Sequence, residues 1–153
     1  MLGGMIRFPP RPRMAPPPST AIILEPGAPA GGIGVVTLCA MDSQARAFNE
    51  RGETVEGPTS DDLHGLLHGL TASNRFLVVE RLDAENDEYY MQAYLRDDGT
   101  YWVEYRDGCA DAHFRASCHT LQLLVQVFTM WLYRLPGWQE ALIWGAWSAE
   151  SEV

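Results

Sequence analysis

The sequence predicts an α+β domain, with an antiparallel β-meander of four to five strands packed against one long and one short helix. Three observations carry this. Residues 89–108, YYMQAYLRDDGTYWVEYRDG, alternate with period two on both sides of Asp97-Asp98-Gly99. Residues 75–82 and 113–118 are short strand-like runs that flank this hairpin across brief polar loops. Residues 121–135 hold apolar side chains at helical spacing.

The hairpin has two conceivable registers. A two-residue Asp98-Gly99 loop would mix its faces. A three-residue loop with Gly99 left-handed pairs Leu95 with Tyr101, Ala93 with Val103 and Met91 with Tyr105. The other face then carries Tyr94 opposite Trp102, Gln92 opposite Glu104 and Tyr90 opposite Arg106. This register separates an apolar face from an aromatic and polar one, so it is the expected one.

Residues 1–40 are read as a disordered Pro/Gly/Ala-rich tail, or as the product of a misplaced start, with translation beginning at Met41 (or Met14). Residues 33–38 could instead add an edge strand. Pro9 to Pro12 could serve as a polyproline ligand. Residues 41–153 are read as one α+β domain. Within it, residues 41–51 read as a short helix with Ala45 and Phe48 inward, and residues 52–58 as a linker. Thr59 or Ser60 caps the next helix, with Asp61 and Asp62 in its first turn and Leu63, Leu66, Leu67 and Leu70 as its stripe, through about residue 72. Residues 75–82 form a strand, the hairpin follows, and residues 113–118 form a strand with Phe114 and Ala116 inward and Arg115 outward. Ser117 or Thr120 caps the long helix. Its main stripe is Leu121, Leu124, Val125, Phe128, Leu132 and Leu135, widened by Leu123, Val127, Met130 and Trp131. Pro136-Gly137 stops it. A last strand, residues 141–147, puts Leu142, Trp144 and Ala146 on one face and Ile143 and Trp147 on the other.

The chain has a net charge of −9, and all eleven of its basic residues are arginine, a mark of GC-rich coding. Residues 1–40 carry three arginines and one glutamate; residues 41–153 carry eight arginines and nineteen acids. An acidic body of this kind repels nucleic acid and anionic membranes; it either suits a basic protein partner or simply keeps the chain in solution, the commoner role of such charge. Three cysteines without framework spacing point to a reducing compartment, and the expected location is cytoplasmic. The most apolar run, residues 121–135, is too short to span a bilayer. Its Val127–Trp131 side could join two copies in a homodimer.

Motifs for catalysis are missing: there is no G-x-S-x-G elbow and no Walker loop. Cys109, His113, Cys118 and His119 are zinc-ligand types in one short stretch, but lack a C-x-x-C knuckle. A small metal protein or enzyme built on them is one reading; a buried Cys118 and a surface His113 is the other. His64 and His68 share a helix face, with Gly65 where a zincin would place glutamate. The expected protein is non-enzymatic and has no cofactor. Its candidate partner-binding residues are Tyr90, Gln92, Tyr94, Trp102, Glu104 and Arg106, because Tyr, Trp and Arg are enriched at binding hot spots. The competing reading is that the last strand or the first helix covers this face.

The order F-L-V-V-E-R (residues 76–81), Y-x-Q-A (90–93), D-D-G-T-Y-x-V-E-Y-R-D-G (97–108), His113-Phe114, a helix, and Trp138 to Trp144 resembles small actinobacterial α+β proteins. It is similar to the first immunity-protein family of bacterial polymorphic toxin systems. It is also similar to the peptide-binding chaperone group related to YbjN and type III secretion chaperones. Either resemblance implies a non-enzymatic protein that binds another protein, as a toxin-neutralising inhibitor or as a chaperone.

Overall fold

The computed structural model describes residues 44–147. The expectations for residues 1–40, including the strand at 33–38, lie outside the described residues. The elements run β1 (Ala45–Asn49), β2 (Thr54–Glu56), α1 (Ser60–His68), β3 (Phe76–Arg81), β4 (Tyr89–Leu95), β5 (Tyr101–Asp107), β6 (His113–Cys118), α2 (Leu121–Leu132) and β7 (Gly145–Ala146). They build one antiparallel sheet in the order β2-β1-β3-β4-β5-β6-β7.

The hairpin at the centre of the sheet has the three-residue loop and the expected register, from Tyr89 opposite Asp107 to Leu95 opposite Tyr101. Arg96 N–H donates to Thr100 O at 2.8 Å and Gly99 N–H to Arg96 O at 3.1 Å. Gly99 sits at φ 82°, where a side chain would be strained. The Asp98 carboxylate takes the Thr100 N–H (2.9 Å) and hydroxyl (2.6 Å), which fixes the turn.

Alternation then sorts the side chains. Ala45, Ala47, Leu77, Val79, Met91, Ala93, Val103, Tyr105 and Cys118 form one core with Leu63, Leu66 and Leu67 of α1 and Leu124, Val127, Phe128, Trp131 and Leu132 of α2. Both helices therefore cover the same face of the sheet. Thr59 caps α1 in a capping box: its Oγ1 accepts the Asp62 N–H and its own N–H donates to Asp62 Oδ2. Thr120 caps α2 through Leu123 N–H at 3.2 Å. The Thr59→Ala variant should lose about 1 kcal/mol of stability, read from the urea midpoint at unchanged slope.

The expected helix over residues 41–51 is replaced, in its described part, by a strand. Ala45, Ala47 and Asn49 are buried and Arg46 and Phe48 half-buried, a period of two. Five residues are too few for helical propensity to prevail over pairing with both β2 and β3. The expected linker contains β2, because the Asn49 side-chain oxygen takes the N–H groups of Arg51 and Glu53 and closes a hairpin turn. Among the described residues the sheet thus has seven strands where four to five were expected.

Three further boundaries differ. Helix α1 ends at His68 with Gly69 as its C-cap, short of residue 72, and Thr71 and Asn74 exchange backbone hydrogen bonds just after it. Helix α2 ends at Leu132; Arg134 takes φ 55°, and Leu135, expected in the apolar stripe, is 48% exposed. Arg81 Nη2 donates to the Trp131 carbonyl at 2.6 Å, satisfying a helix-end acceptor, and its guanidinium lies 4.2 Å from the Trp131 ring centre. The last strand pairs only at Gly145 and Ala146. The expected division of its faces holds only in part: Leu142 and Trp144 pack on the core and Ile143 is 95% exposed, but residues 141–144 lie outside the strand and Ala146 is exposed. Trp144 and Trp138 close edge-on over Tyr105, each ring centre 4.8 Å away.

Val127 and Trp131, expected to present a dimer surface, are 0% and 3% exposed within this single chain. That side of α2 is occupied by the chain's own core. Among the described residues, no helix is long and apolar enough to cross a membrane.

Candidate functional site

The other face of the sheet carries no helix among the described residues. Register builds it in rows. Arg46, Glu80, Tyr90, Arg106 and His113 lie across neighbouring strands in one row. Phe48, Val78, Gln92, Glu104 and Arg115 form the next, and Phe76, Tyr94, Trp102 and Ser117 the third. All six sequence-predicted site residues stand on this face, in the predicted pairs.

Glu104 is the hub. It is 3% exposed, and its carboxylate accepts from Gln92 Nε2 (2.5 Å), Arg115 Nε (2.7 Å), Arg115 Nη2 (2.6 Å) and His113 Nε2 (3.3 Å). Burial is the largest influence on its acidity and pushes the pKa up. The His113 hydrogen bond and the charge and hydrogen bonding of Arg115 outweigh it and hold the carboxyl below its ordinary 4.5. His113 in turn accepts from Arg106 Nη2 at 3.4 Å through Nδ1, and Arg106 pairs with Glu88. Arg46 and Glu80 form a further cross-strand pair at 2.8 Å.

Arginine and indole alternate beside this hub. The Arg96 guanidinium lies 4.5 Å from the Trp102 ring centre, Arg115 lies 5.1 Å from Trp102 and 4.4 Å from Trp147, and Trp147 meets His113 edge-on at 4.6 Å. These contacts fix the indole planes and neutralise the cost of holding guanidinium groups at a partly dry surface. Tyr94, Trp102 and Arg106 are half-buried; Tyr90, Gln92 and Glu104 are buried. The face is a tightly bonded layer rather than a set of free-standing side chains.

The sequence missed the contribution of β6 and of the segment after β7. His113, expected at the surface, is 4% exposed under Trp147. The available signal was alternation within β6: with Phe114 and Ala116 inward, His113 and Arg115 stand on the same face as Glu104 and Arg106, and the β5–β6 pairing sets them side by side. Of the two coverings weighed, the first helix lies on the opposite face, while Trp147 does reach over His113 and Arg115.

The cysteine–histidine set is not brought together. Cys109 is exposed in the β5–β6 loop, Cys118 is buried in the core, and His113 points to the opposite face. Burial raises the pKa of the Cys118 thiol, which leaves it a poor nucleophile. His64 and His68 meet edge-on at 6.3 Å on the exposed side of α1. Among the described residues, no group of three or more His, Cys, Asp or Glu side chains could hold a metal ion.

No protein-family model matches this chain, and neither a curated protein nor a solved structure matches it.

Proposed function

We propose that this protein is a non-enzymatic, toxin-neutralising immunity-type protein that binds its partner through the helix-free face of the sheet. One observation carries the reading. Trp102 and Tyr94 stand side by side on that face, with Trp102 held between Arg96 and Arg115, and no described helix packs on them. Aromatic anchors whose orientation is set before binding lose little entropy on association. The buried Glu104 hub keeps that layer rigid. The net charge of −9 adds long-range attraction for a basic partner, while the face itself supplies aromatic and guanidinium contacts.

Trp102→Ala tests this. The indole is half-buried and flanked by two guanidinium groups, so its removal should cost only about 1–2 kcal/mol of stability by urea unfolding. Partner affinity should fall by about 2 kcal/mol or more. The functional assay is growth rescue, with the chain expressed together with the toxin encoded beside it in its own genome. Native protein should rescue and the folded variant should not. Failure of the native chain to neutralise any neighbouring toxin would sink the immunity reading. Undiminished rescue by Trp102→Ala would move the binding surface elsewhere.

A further inference from the structure

Two of the chain's four histidines, His64 and His68, stand on α1 and are exposed. Each directly follows a leucine locked in the core: Leu63 is 0% exposed and Leu67 1%. Those leucines pin the backbone of the helix. The capping box closes its first turn, and the Gly69 N–H closes its last on the Gly65 carbonyl at 3.0 Å. His64 and His68, four residues apart, are therefore held side by side on the solvent side of α1. Their rings meet edge-on with centres 6.3 Å apart. Among the described residues, no hydrogen bond reaches either imidazole. His113 differs, since Arg106 and Glu104 engage both of its ring nitrogens.

Free imidazole nitrogens suit divalent transition ions of borderline softness, and two of them at this helical spacing can grip one ion together. A zinc–nitrogen bond is about 2.0–2.1 Å long. Rotation of the two side chains, opposed by no hydrogen bond, can bring one nitrogen of each ring to that distance from a shared ion. The surroundings favour positive charge. His68 lies in the last turn, at the negative end of the helix dipole. Asp61, three residues before His64 and also exposed, adds negative charge on the same helix face.

We propose that His64 and His68 chelate a divalent transition ion of the zinc class on the outer side of α1. No third His, Cys, Asp or Glu joins the pair among the described residues, so water fills the remaining positions and the ion is exchangeable. The ion ties the last turn of α1 to the turn before it. Gly65 weakens this stretch, because glycine inside a helix is disfavoured relative to alanine. An ion that binds the folded pair more tightly than the unfolded chain stabilises the fold as its concentration rises. Helix α1 covers the face opposite Trp102, so this site stands or falls separately from the sheet-face reading.

The probe is zinc chloride, titrated into the full chain and followed by the imidazole and amide NMR signals of residues 61–69. Saturable shifts are expected at His64 and His68 together and not at His119, and the urea midpoint should rise with zinc. Magnesium chloride should produce neither effect, because that ion prefers oxygen ligands. His64→Asn and His68→Asn, both at exposed positions, should each weaken zinc by about tenfold or more, since one imidazole lacks the second, intramolecular contact. His68→Asn combined with Gly65→His keeps two histidines in the helix but sets them about 100° apart around it. That variant should bind no better than His68→Asn alone. Undiminished zinc binding in either single variant, full affinity in the relocated pair, equal shifts with magnesium, or no saturable shift at His64 and His68 would each overturn the assignment.

Discussion

Replacing Glu104 by alanine is expected to destabilise the fold by about 3–5 kcal/mol, the cost of breaking a buried ion pair from one side. The variant takes the carboxylate away from Arg115, whose side chain is 17% exposed, and removes the shared acceptor of Gln92 and His113. The effect has a distinct pH signature. The folded-state pKa of Glu104 lies below its ordinary value, held there by His113 and Arg115 against the effect of burial. The ionised carboxylate therefore contributes stability at every pH above the ordinary carboxylate range. That contribution is lost as pH falls through the folded-state value. The gap between native protein and Glu104→Ala should narrow on acidification, and Glu104→Gln should show a flatter acid limb than the native chain. Urea unfolding at a series of pH values measures both. A gap that stays constant below the carboxylate range would show that Glu104 acts only by filling space.

Phe128→Ala should cost a comparable amount, about 3–5 kcal/mol, for a different reason. Among the described residues, Phe128 is the largest side chain with no exposure, and it belongs to the core shared by both helices and the sheet. Its removal deletes apolar contacts and leaves a cavity that the rest of the core refills only in part. No titratable group takes part, so the loss should be the same across the acid range. A destabilisation below about 1 kcal/mol would mean that the two helices and the sheet close up freely around the missing ring.

How much of this was legible in the sequence depends on how local the deciding contact is. The β4–β5 register was legible because its turn chemistry and its alternation point to the same pairing. Thr59 and Thr120 were among the caps expected because capping is decided within three residues. Strand β1 was not legible. Ala45-Arg46-Ala47-Phe48-Asn49 is compatible with a helix, and only its two neighbouring strands, one about thirty residues on, make it extended. The candidate site divides in the same way. Its six predicted residues come from one hairpin and were found together. The burial of His113 arises from Trp147, which arrives from beyond α2 and β7, and no local pattern signals that contact.

The outer strands of the sheet are short. Strand β2 has three residues and holds Glu56 at its end; β7 has two, both small. Among the described residues, the seven-stranded sheet thus ends on each side in a stub, with few backbone donors and acceptors in line for another chain. Such ends discourage self-association into fibrils and leave little template for a visiting peptide to add itself as an eighth strand. Recognition by this protein is therefore expected to be read through side chains, which makes it sensitive to single substitutions on its surfaces and tolerant of a partner's backbone shape.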